Sequence, residues 1–284
     1  MKRSTFLSSL LLMLGFAPKI QSQAVINSDK PILHIFLAID MSQPDRIPDR
    51  TKDRQAIESF FRSVAAQADM IPQVHYFSGS TLKSNIILAE IRKLGSFKGK
   101  KNGFVFYFSG HGGNWRDDKF PHLQLTNGHF PLTAINRLVV DTLKPKASIV
   151  IGDCCNNFVS DDLPLPNPLP PVNTDLIKKI FWDFGRPSIR INILLTAASQ
   201  GQYSHSLIRQ GSIFRQCFIE AFYNNTSVAS DSGRDTDAIW TNIKNEASNC
   251  TVKIIDNLAR RQKVSKQVPS GNITYTSNPD EIDR

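Results

Sequence analysis

Two stretches decide the fold: Gly103-Phe104-Val105-Phe106-Tyr107-Phe108-Ser109-Gly110-His111-Gly112-Gly113 and Ser148-Ile149-Val150-Ile151-Gly152-Asp153-Cys154-Cys155. Each is an apolar, β-branched or aromatic run of strand length that stops at reactive side chains. Runs that are apolar on both alternating faces are what parallel strands buried between two helix layers look like. In open α/β sheets ligands gather outside the carboxyl ends of the strands. One run delivers a histidine to that edge and the other delivers cysteine. A thiol becomes a nucleophile when a neighbouring imidazole raises its thiolate fraction, so this pair of strand ends predicts a Cys–His dyad. Strand alternation puts Asp153 and Cys155 on one side and Cys154 on the other, and by itself does not choose between the cysteines.

Working outward, Ile32 to Ile39 reads as another buried strand, with His34 a core or edge histidine. A helix is expected from about Lys52 to Ala68, with Ile57, Phe60, Phe61 and Val64 on one face. Gln73 to Phe77 reads as a strand, and Thr81 as the cap of a helix through Ile86, Ile91 and Leu94. A hairpin turning at Asn127-Gly128 and a helix from Leu132 to Leu143 lie between the two key strands. This βα alternation predicts a mostly parallel, right-handed wound sheet.

Asn156 to Thr174 carries five prolines and two adjacent aspartates, and reads as an irregular loop extending to residue 187. Beyond it come a helix from Asp175 to Phe184, a strand from Ile189 to Ala197, and a helix from Ser206 to Tyr223. A last helix from Asp237 to Arg261 is followed by a polar tail over 264–284. Cys217 and Cys250 fall within the last two helices and read as free buried thiols, with a bond between them the alternative.

The amino terminus has Lys2 and Arg3, an apolar run from Phe6 to Ala17, and Ser22-Gln23-Ala24 as a small-x-small site. That is the pattern of a secretory signal over residues 1–24, and predicts a secreted or periplasmic protein with no stable membrane span. Loss of Lys2, Arg3 and Lys19 takes three charges from the formal +9, leaving +6 scattered in pairs such as Lys100-Lys101. A nucleic-acid partner would call for a basic stripe interleaved with aromatics, and none is present. Four Asn-x-Ser/Thr sequons open at Asn224, Asn225, Asn249 and Asn272.

Tyr107-Phe108-Ser109-Gly110-His111-Gly112 followed by Asp153-Cys154-Cys155 resembles the histidine and cysteine blocks of caspase-like peptidases. The likeness is closest to metacaspases, with their Tyr-Ser-Gly-His-Gly and Asp-x-Cys motifs. A caspase histidine stands about 50 residues before its cysteine, and His111 and Cys155 fit. The resemblance also takes in the strand at Ile32, the helix near Asp53, Thr196 to Gln202 and Gly211-Ser212-Ile213-Phe214. It implies an α/β fold, a caspase-like three-layer sandwich over 25–284, and a cysteine endopeptidase acting on protein or peptide substrates. It selects Cys155 as nucleophile with His111 as its partner, and implies the Gly112 and Cys155 amides as the oxyanion hole. Asp53 and Asp153 occupy metacaspase positions that hold a basic substrate side chain, so cleavage after Arg or Lys is expected. Arg46, Arg50 and Arg54 crowd the same loop and would instead suit an acidic one. No cofactor is expected. Some metacaspases depend on calcium, and Asp117-Asp118 and Asp161-Asp162 are the acidic pairs that could bind it. Asn156-Asn157-Phe158 departs from the family, which follows the nucleophile with His-Ser-Gly or places glycine two residues after it. Two other readings stay open: a legumain-like or clostripain-like peptidase, and an inactive caspase-like module that binds peptides or partners.

Overall fold

The computed structural model describes residues 30–97, 101–113, 118–159, 169–182, 189–227, 235–261 and 264–277, with 155–159, 182 and 277 described as backbone. The expected signal at 1–24, part of the proline-rich loop and the end of the tail lie outside these residues.

The central strands are β1 (Ile32–Ile39), β2 (Ile71–Phe77), β3 (Gly103–Gly110), β7 (Ala147–Val159) and β8 (Ile189–Thr196), all parallel. A further strand, β11 (Ser270–Ser277), closes the edge antiparallel to β8. The spatial order is therefore β2-β1-β3-β7-β8-β11. The carboxyl half of β7 leaves β8 and pairs with β9 (Ser204–Leu207), which turns back through β10 (Gly211–Ser212). Between β3 and β7 sits a small sheet of β4 (Gly112–Gly113), β5 (His122–Leu125) and β6 (Gly128–Pro131).

Alternation along the strands builds two cores. Leu33, Ile35, Leu37, Val105, Tyr107, Ile149 and Ile151 point to one face. Helices α1 (Ile47–Gln67), α4 (Thr174–Trp182), α5 (Ile213–Thr226) and α6 (Thr236–Ala259) supply residues to that core. Phe36, Phe104, Phe106, Phe108 and Val150 point to the other face, covered by α2 (Ser84–Lys93) and α3 (Leu132–Leu138), which runs into a π turn over Val139–Leu143. This is the expected three-layer sandwich. β1 connects through α1 to β2 on one side, while β3 lies on its other side, so the chain reverses direction across the sheet beside β1. The carboxyl ends of β1 and β3 flank that switch point, where ligands gather.

Several expectations need correction. Helix α1 begins five residues early, with Pro48 in its first turn, where a missing N–H costs nothing. Residues 204–212 are strand β9, a turn and strand β10 and not the start of a helix, and the helix starts only at Ile213. Thr81 closes a 3-10 turn by reciprocal bonds with Ser78, and α2 starts at Ser84. Strand β7 runs on through Asn156-Asn157 to Val159, inside the expected loop. The polar tail contains β11. Cys217 and Cys250 form a disulfide joining α5 to α6, so the expectation of free thiols is wrong. Each sits on the contacting face of its own helix, a three-dimensional relation that spacing cannot report.

Candidate active site

The site is built on the register of β3 against β7. Tyr107 lies beside Ile151, Ser109 beside Asp153 and Gly110 beside Cys154. One residue further on, His111 and Cys155 follow from adjacent parallel strands at the same level. The backbone of Cys155 then lies beside Ser204 of β9. Among the described residues the buried Nε2 of His111 meets no hydrogen-bond partner.

Gln124 N donates to His111 O at 2.9 Å. That bond makes Gly112 and Leu123 a non-hydrogen-bonded pair of the antiparallel ladder, so the Gly112 amide points away from β5. Only glycine fits there. A Cβ on Gly112 would lie 2.6 Å from Cys154 Sγ and 2.7 Å from His122 O. Cys154 is a buried free thiol on the Phe36 side of the sheet. With Gly112, Gly113, Ala198 and Tyr203 it lines a cavity of about 190 Å³.

On the opposite face, Asp53 from α1 and Asp153 from β7 converge on Ser212, the N-cap of α5. The Ser212 amide donates to Asp53 Oδ1 at 2.8 Å and its hydroxyl donates to Asp153 Oδ1 at 2.8 Å. Asp53 also accepts from Ser109 Oγ at 2.8 Å and Arg215 Nε at 3.1 Å, and Arg50 stands 4.0 Å from it. Arg50 donates to Ser109 Oγ at 2.9 Å. Asp153 accepts from Tyr107 OH at 2.7 Å. Both carboxylates are 0% exposed. Burial, followed by the charge of Asp53, pushes Asp153 up to about 6. Burial, together with these carboxylates, also pushes the Tyr107 phenol well above its usual range, which keeps it a donor. One turn earlier on α1, Asp49 accepts from the Arg209 amide, and burial raises its pKa.

The two sequence-predicted carboxylates thus come together, as do the strand ends that carry His111 and Cys155. Sequence reasoning missed Tyr107, Ser109, Ser212 and Arg215 as the groups that hold the carboxylates. The signal for Ser212 was in view, in Gly211-Ser212-Ile213-Phe214, while Arg215 looked like an ordinary helix residue. Of the arginines named near Asp53, Arg50 of α1 faces the cluster, whereas Arg54 of the same helix pairs with Glu58.

Of the residues named for calcium, Asp118 bonds His122 Nε2 at 2.5 Å, and Asp117, Asp161 and Asp162 lie outside the described residues. Among the described residues no group of three or more His, Cys, Asp or Glu is placed to hold a metal, and no helix is long and apolar enough to cross a membrane.

A family model described as the caspase domain matches residues 42–276, most of the chain. The chain belongs to the caspase-domain peptidase family. Its structure is similar to caspase-1 from Spodoptera frugiperda, with TM-score 0.52 and 14% identity over 87% of this chain and 86% of that one. A protein from Geobacter sulfurreducens is also similar, with TM-score 0.48 and 13% identity over 89% of this chain and 97% of that one. No curated protein sequence matches the chain. The caspase-domain match spans α1 with Asp53, the His111 strand end, the Cys155 strand and β11, so the family assignment covers every part of the site described above.

Proposed function

We propose that this caspase-domain chain is an exported cysteine endopeptidase that cuts after Arg or Lys. Cys155 acts as the nucleophile and His111 as its acid and base. The observation that carries the reading is the β3–β7 register, which sets Gly110 beside Cys154 and so brings the following residues out together. In this reading the thiolate of Cys155 attacks the scissile carbonyl carbon. The Gly112 and Cys155 amides receive the oxyanion, and His111 protonates the leaving amine. Water, deprotonated by His111, then hydrolyses the thioester and releases the thiol.

Basic specificity is supported by the carboxylates that meet at Ser212. A buried anion whose proton affinity is raised by its surroundings is relieved by an incoming cation, and a guanidinium can engage a carboxylate bidentately. Asp53 accepts from Arg215, Ser109 and Ser212, and Asp153 from Tyr107 and Ser212, so in this reading the two carboxylates act together as the anionic wall that receives the substrate cation. Arg50 at the same cluster is the feature that would favour an acidic side chain instead.

The test is covalent labelling with acyloxymethyl ketone peptides ending in Arg, Lys, Asp or Asn, run with calcium and with a chelator. Adduct mapping should find Arg and Lys probes on Cys155, and none in His111→Ala. Preference for Asp would overturn the pocket assignment, and preference for Asn would favour the legumain-like reading. A folded wild type that takes no probe would favour the binding module. Amino-terminal sequencing of the mature protein checks removal of residues 1–24.

A further inference from the structure

At the end of the sheet opposite to the dyad, between the start of β7, the start of β8 and the π turn after α3, lies a second cavity of about 270 Å³. Arg190, Lys144, Ser148, Asn192, Asp141 and Thr276 line it. Arg190 stands directly across from Thr276 in the β8–β11 ladder, and Ser148 lies beside Asn192 in the β7–β8 ladder. The Ser148 hydroxyl donates to Asn192 Oδ1 at 2.7 Å, which turns the Asn192 amide nitrogen toward the β11 side, 3.4 Å from Thr274 Oγ1.

The chemistry of this cavity is set by its cations. The Nε of Arg190 is buried and has no hydrogen-bond partner among the described residues. A guanidinium N–H removed from water without an acceptor is costly, and buried polar groups of that kind mark a missing partner. Lys144 brings a second positive charge to the same cavity. It does so from a left-handed backbone conformation, φ 55°, that fixes where the side chain leaves the chain. Neither cation makes an ion pair with a carboxylate of the described residues. The one acid in the lining, Asp141, is an acceptor that discriminates between anions. It repels a fully ionised oxyanion but accepts a hydrogen bond from one that still carries a proton.

We propose that this cavity is a binding site for a phosphate-class oxyanion, with Arg190 and Lys144 as its cations and Asp141 as the acceptor for the proton of hydrogen phosphate. The site is independent of the dyad, and its occupancy is read without any peptidase activity.

Calorimetric titration of the full-length protein with inorganic phosphate and with sulfate at neutral pH is the test, with chloride holding ionic strength constant. Saturable phosphate binding tighter than sulfate binding is expected. Arg190→Gln should weaken it about tenfold or more, since a charge-assisted contact is lost. Lys144→Asn, which suits the left-handed backbone and lies apart from the core, should weaken it as well, and serves as the test if Arg190→Gln fails to fold. Asp141→Asn should narrow the difference between phosphate and sulfate. A folded wild type with no saturable phosphate binding, or binding that neither cation variant changes, overturns the site. Equal affinities for the two anions overturn the role of Asp141.

Discussion

Tyr107 and Asp153 stand on neighbouring parallel strands, and the phenol donates a 2.7 Å hydrogen bond to the carboxylate where both side chains are wholly buried. The contact leaves Asp153 as an anion in a medium that disfavours anions, next to a second carboxylate. Its pKa of about 6 lies above the ordinary 3.8. The folded state therefore binds a proton more tightly than the unfolded state between about pH 4 and 6, so this group lowers stability as pH rises through that window. Asp153→Asn removes the dependence. Relative to wild type, its melting temperature should climb from pH 4 to pH 6 and then hold a constant offset. A difference between the two proteins that is flat with pH would contradict the assignment.

The opposite sign is expected between β1 and β2. His34 on β1 and His75 on β2 approach to 3.5 Å, and burial, followed by the neighbouring His75, lowers His34 to about 4. The unfolded chain takes up the proton first as pH falls from about 6.5. Stability from this group is complete above pH 6.5 and is lost as pH drops toward 4, by an amount on the order of 3 kcal/mol. His34→Phe, compared with wild type by chemical denaturation at pH 7.5 and 4.5, should lose less stability on acidification. Equal losses would remove His34 from the account.

Gly112→Ala should abolish turnover while leaving the protein folded. Its Cβ would meet both a thiol and a backbone oxygen, at 2.6 and 2.7 Å. The thiol can be trimmed but the His122 carbonyl cannot, so Gly112→Ala combined with Cys154→Ala should stay inactive. Cys154→Ala alone should keep most activity, and Cys155→Ala none. Rescue in the double variant would show that the thiol alone sets the requirement for glycine.

The Cys217–Cys250 disulfide spans 33 residues of sequence and ties α5 to α6. Closing a loop of that length constrains the unfolded chain by roughly 4 kcal/mol in the chain-entropy model. Cys217→Ala together with Cys250→Ala should lower the denaturation midpoint accordingly. Thiol titration of the denatured wild type should count two free cysteines, and four after reduction. Four before reduction would disprove the bond.

Much of the fold was legible because buried parallel strands announce themselves locally. Ile32 to Ile39, Gly103 to Gly110 and Ile189 to Thr196 are long apolar runs, and their boundaries were read almost to the residue. The polar strands β9 and β11 were not. Ser204-His205-Ser206-Leu207 and Ser270 to Ser277 are polar, and they become strands through pairing with β7 and β8 rather than through their own propensity. Pro48 precedes the helix start expected near Lys52 yet lies in the first turn of α1, since proline there lacks only an N–H that the helix does not use.

For the site, the sequence by itself determined which residue types reach the carboxyl edge of the sheet, because strand length and termination are local properties. His111, Gly112, Asp153 and the two cysteines follow from that. Tertiary structure alone decided what those residues meet. It brought Asp53 to Asp153 through a single serine at the start of α5, placed Arg215 against Asp53, and packed Cys154 against Gly112. It also joined Cys217 to Cys250 and left the Nε of Arg190 buried in a cavity without a partner among the described residues. Each of these depends on which faces two distant elements turn toward each other. That is settled by how the elements pack together in three dimensions, and no spacing along the sequence encodes it.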